Sequence, residues 1–207
     1  MHVLKAYLFN AQNINRAYIV GEEHYDTGND LFKLMLDQRM NYSCGYWRNA
    51  VNLEQSQVNK LDLACRKLHL KPGMRVLEIG CGWGAFAKYA TENYGVSVHG
   101  ITVSKEQMNY AKKSCEGLDA TFELKDYRAL NTKYDAIVSI GMFEHVGYKN
   151  YRDYMEVAHR CLSDKGLFLL HTIGRNTPSR STDPWTNKYI FPNGMVPSPA
   201  QISGAAQ

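Results

Sequence analysis

Long apolar runs are missing from this 207-residue sequence. The longest, such as Gly166-Leu167-Phe168-Leu169-Leu170, fall far short of the roughly 18 residues that suggest a membrane span, so a soluble or peripheral protein is expected. An apolar leader core is missing too: Lys5, Asn10 and the polar stretch 12–16 interrupt any such segment near the start, and the expected location is cytoplasmic. Paired cysteines are absent. Cys44, Cys65, Cys81, Cys115 and Cys161 are odd in number and dispersed, with no C-x-x-C, which argues against a disulfide framework and against a bound metal. Basic runs are also lacking. The net charge of +4 is spread thinly, so no nucleic-acid partner is expected, although such a surplus suits weak attraction to an anionic lipid surface. Repeats and low-complexity tracts do not occur, and 44% hydrophobic with 21% charged residues is enough for one sizeable core.

What is present divides the chain in three. Residues 1–70 read as helical and irregular. Asn29 or Asp30 can cap a helix reaching about Asp37, with Leu31, Leu34 and Met35 as its apolar residues. A second helix over 53–70 has Val58, Leu61, Cys65 and Leu68 at helical spacing, a capping-box pair in Asn52 and Gln55, and Lys71-Pro72-Gly73 as its stop. Residues 71–174 alternate short apolar strands (75–79, 96–102, 120–125, 134–140, 167–172) with amphipathic helices (84–93, 105–116, 151–162). Ser104 and Gln107 form a second capping-box pair. This alternation predicts an α/β fold with a doubly wound, mostly parallel sheet. Residues 175–207, with Pro178, Pro184, Pro192, Pro197 and Pro199, read as a loop-rich tail.

The segment Leu77-Glu78-Ile79-Gly80-Cys81-Gly82-Trp83-Gly84 places three glycines where a strand turns into a helix, a position at which backbone must approach a ligand closely. The spacing is G-x-G-x-G, not the G-x-G-x-x-G of pyrophosphate cradles, which favours a ligand without phosphates. Glu78 can attract an ammonium group. The second strand ends in Ile101-Thr102-Val103-Ser104 and not in the acid that usually meets a ribose, so the polar work there falls to Thr102 and Gln107. Asp126-Tyr127 is placed to flank an adenine. S-adenosylmethionine, with an ammonium, a ribose and a sulfonium, satisfies this set.

Seven blocks in order resemble one family. They are His24-Tyr25-Asp26-x-Gly28-Asn29, Met40-Asn41-Tyr42-Ser43-Cys44-Gly45-Tyr46-Trp47, the glycine loop, Gly100-Ile101-Thr102-Val103-Ser104, Ser139-Ile140-Gly141-Met142-Phe143-Glu144-His145-Val146-Gly147, Leu170-His171-Thr172-Ile173-Gly174 and Lys188-Tyr189-Ile190-Phe191-Pro192-Asn193-Gly194. The chain is similar to the cyclopropane-fatty-acyl-phospholipid synthases and to the cyclopropane mycolic acid synthases. The resemblance implies the class I S-adenosylmethionine-dependent methyltransferase fold, and transfer of a methylene group to the cis double bond of an unsaturated phospholipid acyl chain. It implies cofactor contacts at Tyr42, Ser43, Glu78, Gly80, Cys81, Gly82, Trp83, Gly84, Thr102, Val103, Gln107, Tyr127 and Ile140, to which the reading above adds Asp126. It further implies a bicarbonate site made by Cys44, Glu144, His171 and the backbone amide of Ile173.

An alkene is a weak nucleophile, so such an enzyme must align it with the sulfonium methyl and exclude water. Ring closure then requires a base, a role the resemblance gives to bicarbonate, whose hydroxyl can donate to Glu144 while His171 donates to its other oxygens. Tyr42, Tyr46, Trp47, Phe143 and Tyr189 are candidates for cation stabilisation through their ring faces. By resemblance the substrate is met at the inner face of the membrane, and homodimerisation is left open.

The family pattern also implies two further strands, final helices and a tyrosine beyond residue 207. On that expectation the fifth strand becomes an edge and the chain is poorly stable. An N-terminal lipid-binding domain would be at most vestigial in residues 1–20. Two alternatives stay open: a related methyltransferase acting on a mycolic acid or an amine, and a chain that binds S-adenosylmethionine without turnover.

Overall fold

The computed structural model describes residues 10, 12–13, 29–180, 182–191 and 193–207. The His24 to Gly28 part of the first family block, the readings made on residues 1–9 and 14–20, and Pro192 lie outside the described residues. Five strands form one parallel sheet in the order β3-β2-β1-β4-β5. They are β1 Arg75–Ile79, β2 Ser97–Thr102, β3 Ala120–Leu124, β4 Tyr134–Ile140 and β5 Leu162–His171. The chain leaves β1 toward β2 and β3 on one side and returns to place β4 and β5 on the other. A crevice therefore opens between β1 and β4 at the carboxyl ends of the strands, where open α/β sheets bind ligands.

The strands are apolar on both faces because both are covered. Val76, Val98, Ala136 and Val138 point to one core with helices α2 (Leu53–Lys67), α3 (Ala85–Tyr94) and α4 (Lys105–Ser114). Leu77, Ile79 and Ile137 point to a second core with α5 (Tyr151–Cys161) and α7 (Pro199–Ala206). The alternation follows from the period of two along a strand.

Several elements depart from the sequence reading. Helix α1 spans Asp30–Met35, but Leu31, Leu34 and Met35 are exposed and Phe32 is its buried residue, packed on Trp83 with ring centroids 4.8 Å apart. Six residues, fewer than two turns, are too few for periodicity to define a face; a single aromatic contact decides it. Helix α2 ends at Lys67, not residue 70. His69 adopts a left-handed φ of 52°, and Leu70 N–H donates to Cys65 C=O and His69 N–H to Arg66 C=O, both at 3.1 Å. That is a Schellman stop with histidine in the place glycine usually takes, ahead of the Pro-Gly pair.

Strand β5 begins five residues earlier than its apolar run. The chain enters it directly from α5, and its register against β4 is irregular between Tyr134 and Ala136. The tail is more ordered than its prolines suggest. Helix α6 (Pro184–Tyr189) is capped by Asp183, and α7 by a full capping box between Ser198 and Gln201, each with proline in its first turn, where a missing N–H costs nothing.

Candidate active site

The crevice between β1 and β4 is a cleft of about 1290 Å³ counting its open mouth. Its floor is the C-terminal end of β1 and the glycine loop. Gly80 and Cys81 N–H groups both donate to Ile101 C=O, at 3.0 and 2.9 Å, tying the loop to the end of β2. The three glycines do different things. A Cβ on Gly80 would meet the Met142 side chain at 2.7 Å, and Gly82 holds a φ of 51° on the cleft wall. Gly84 does not line the cleft; a Cβ there would press on Ala111 of α4 at 3.0 Å, so this glycine serves helix packing.

Glu78 lies in the floor, 5% exposed, with Oε2 buried and unpartnered, and burial raises its pKa well above the ordinary carboxylate value. A buried carboxylate in this state is stabilised by an incoming cation or donor. Across the cleft, Thr102 Oγ1 donates to Gln107 Oε1 at 2.8 Å. This fixes the Gln107 amide with its oxygen occupied and its NH₂ group as the remaining donor. The capping boxes expected at Asn52 and Ser104 are therefore only half formed. Each side-chain oxygen accepts the N–H of the glutamine three residues on, while Gln55 accepts from Val51 and Gln107 from Thr102.

Tyr42, Ser43, Cys81, Trp83, Val103, Asp126, Tyr127 and Ile140 also line the cleft, so thirteen of the fourteen expected cofactor positions gather in one place. Asp126 differs from expectation in its partner: its carboxylate accepts from the Arg128 N–H and guanidinium, both at 2.9 Å. Of the rings expected to face a cation, Tyr42 lines the cleft. Phe143 is fully buried in the second core, stacked on Tyr151 at 4.3 Å, while Trp47 and Tyr189 are exposed.

The four residues expected at the acid–base site fall into two adjacent pairs outside the cleft lining. Cys44 Sγ lies 3.6 Å from His171 Nε2. Ile173 N–H donates to Glu144 Oε1 at 2.7 Å, so the amide expected to face an anion is engaged by the carboxylate itself. The pairs are brought beside the cleft by register: Ile140 is opposite His171, and Gly141 N–H donates to His171 C=O at 3.0 Å. Glu144 Oε2 and His171 Nδ1 are buried without a protein partner. Burial, then the Lys60 ammonium, push the His171 imidazole toward its neutral form.

Residues that the sequence reading passed over include Met40, Asn41, Met142, His145 and Arg128, all on the cleft, and Lys60 behind it. A signal for Lys60 existed: it lies on the same helical face as Leu61, Ala64 and Cys65, where a charge is out of place.

A five-stranded parallel sheet with a glycine loop, an acid at the end of β1 and a cleft at the switch point defines the class I S-adenosylmethionine-dependent methyltransferase fold. Within that class, the chain belongs to the mycolic acid cyclopropane synthetase family, whose model matches residues 12–207. It is 57% identical over all 207 residues to cyclopropane-fatty-acyl-phospholipid synthase of Escherichia coli (strain K12), of which it spans 54%. It is 43% identical over 195 residues to cyclopropane mycolic acid synthase 3 of Mycobacterium tuberculosis (strain H37Rv), covering 86% of this chain and 68% of that one. A crystal structure of mycolic acid cyclopropane synthase CmaA1 complexed with SAH and CTAB superposes with a TM-score of 0.84 at 35% identity, covering 91% of this chain and 72% of that one. The chain thus spans about half the length of the phospholipid synthase it matches.

Proposed function

We propose that this chain is the donor-binding part of a cyclopropane-fatty-acyl-phospholipid synthase. The cleft binds S-adenosylmethionine, and its methyl carbon becomes the bridging methylene of a cis double bond in a phospholipid acyl chain. The observation that carries the reading is the placement of the Cys44–His171 and Glu144–Ile173 pairs directly beside a cleft lined by thirteen residues suited to this ligand. The 57% identity to a phospholipid synthase favours phospholipid over mycolic acid as acceptor.

In this reading Glu78 meets the ligand's ammonium, Thr102 and Gln107 its ribose, and Tyr127 its adenine, with Asp126 held in place by Arg128. Bicarbonate, when bound, would supply the base. The buried, unpartnered Glu144 Oε2 and neutral-leaning His171 are chemically suited to hold such an ion, one as acceptor and one as donor. Residues 71–174 carry the donor cleft, 1–70 cover it, and 175–207 begin the cover of the acceptor side. The acyl chain is met peripherally at the inner membrane face. In keeping with an apolar acceptor, α1 packs Phe32 against the cleft wall and turns Leu31, Leu34 and Met35 outward, and no helix among the described residues is long and apolar enough to cross a membrane.

Two measurements test the reading. Titration calorimetry of the full chain should give saturable S-adenosylmethionine binding, and absence of heat would refute the cleft assignment. In cells expressing the intact enzyme to which this chain belongs, unsaturated phospholipids should gain about 14 mass units. Glu144→Gln should abolish that gain and leave donor affinity within about twofold; equal loss of both would remove Glu144 from the acid–base site.

A further inference from the structure

Lys60 is 6% exposed, on α2, behind the wall of the cleft. Its ammonium donates to Asn41 Oδ1 at 3.0 Å and to Ser43 Oγ at 2.9 Å, both neutral oxygens on the segment that also carries Tyr42 and Cys44. Taking an ammonium out of water for two neutral acceptors is unfavourable compared with an apolar side chain of the same shape. A group kept at that cost invites a functional account, and geometry supplies one. An ammonium has donors and no acceptor, so by occupying a lone pair of Ser43 it turns that hydroxyl's proton away from itself. Ser43 is on the cleft wall. Gln57 Nε2 holds the Ser43 carbonyl at 2.9 Å, so the residue is fixed from α2 at both ends.

We propose that Lys60 is a positioning residue that couples the donor cleft to the Cys44–His171 pair: it aims the Ser43 hydroxyl into the cleft as a donor and supplies positive potential to both sites. The proposal rests on the reading of the cleft as an S-adenosylmethionine site. Charged and titratable groups face Lys60 from three other segments: Asp37 after α1, Cys44, and Glu78 on β1. His171 in turn feels Lys60 and Lys67 as cations and Glu144 as an anion. Desolvation lowers the Lys60 pKa to about 8, so its charge is lost within an accessible pH range.

The test compares the wild-type full chain with Lys60→Met, using S-adenosylhomocysteine as the calorimetric probe and the His171 ring signals in NMR. Lys60→Met should fold, as judged by circular dichroism, and bind the probe about tenfold more weakly at pH 7, the worth of one charge-assisted hydrogen bond. The affinity ratio of wild type to variant should shrink toward one as pH passes about 8. Ligand titration is common to both proteins and cancels in that ratio. The His171 midpoint should move to higher pH in the variant.

A lysine that serves packing alone would give an affinity ratio independent of pH, and a ratio that does not shrink above pH 8 or an unmoved His171 midpoint overturns the proposal. Should Lys60→Met not fold, Ser43→Ala takes its place: a similar tenfold loss supports the assigned role, and full affinity refutes it. A wild type that does not bind the probe overturns the reading of the cleft, and the His171 midpoint then decides the role of Lys60 alone.

Discussion

At the scale of single residues, Glu78 combines stability cost with ligand recognition. Its folded-state pKa is raised above the ordinary 4.5, with desolvation the first cause, opposed by the Ala87 amide and the Lys60 ammonium. A raised pKa means that above pH 4.5 the folded chain holds a proton the unfolded chain has released, so stability falls as pH rises through the folded pKa. Glu78→Gln removes this dependence. The ligand-free variant should therefore melt higher than wild type at neutral pH while binding S-adenosylmethionine at least tenfold more weakly, since the neutral amide oxygen can accept from an ammonium but supplies no opposite charge. A variant with lower melting temperature and intact affinity would contradict both halves. The acid was legible in the sequence as the residue before the glycine loop. Its lack of a close counter-ion was not, because that depends on what α2 places behind it.

At the scale of elements, the two ends of α2 show how capping sets helix length. Asn52 accepts the Gln55 N–H at 2.9 Å, and His69 closes the other end in a left-handed conformation that costs a non-glycine residue free energy. Asn52→Ala should cost about 1 kcal/mol in chemical unfolding. His69→Gly should be neutral or stabilising by up to about 1 kcal/mol, because the exposed imidazole gives up little and the backbone strain is relieved. A loss at position 69 comparable to that at position 52 would show that the His69 side chain makes a contribution the Schellman geometry does not account for. Strands β1 and β4 were readable to the residue since each is a buried apolar run with polar or glycine boundaries. The face of α1 and the start of β5 differ from the sequence expectation: six helical residues have no usable period, and Leu162 pairs with Tyr134 ahead of an irregularity that resumes at Ala136–Leu167.

For the molecule as a whole, the cleft is lined by members of both hydrophobic cores and by the ends of β1, β2 and β4, so a ligand that fills it ties these elements together. At one hundred times its dissociation constant, S-adenosylmethionine should add about 2.7 kcal/mol to the unfolding free energy and raise the melting temperature in step. A scan showing no shift at saturating ligand would separate binding from the folded state and count against the cleft. Strand β5 lies at one end of the sheet, with Leu167 and, just beyond it, Ile173 exposed. The sequence expectation of an edge here rests on the family resemblance, which implies two further strands.

The sequence by itself determined the alternation of strands and helices and the loop where ligand and backbone meet, and with the family resemblance it named thirteen of the residues that line the cleft. Parallel strands place their carboxyl ends on one side, so residues just after successive strands must converge. Only the tertiary structure decided which of those side chains are free to act. Asp126 is taken by Arg128, Gln107 by Thr102, the Ile173 amide by Glu144, and Phe143 by the core. Lys60, which carries no motif, comes to lie behind the cleft. Pairing and burial of this kind join residues far apart in the chain, and a charge is neutralised or exposed by whatever the fold brings beside it, which local pattern does not encode.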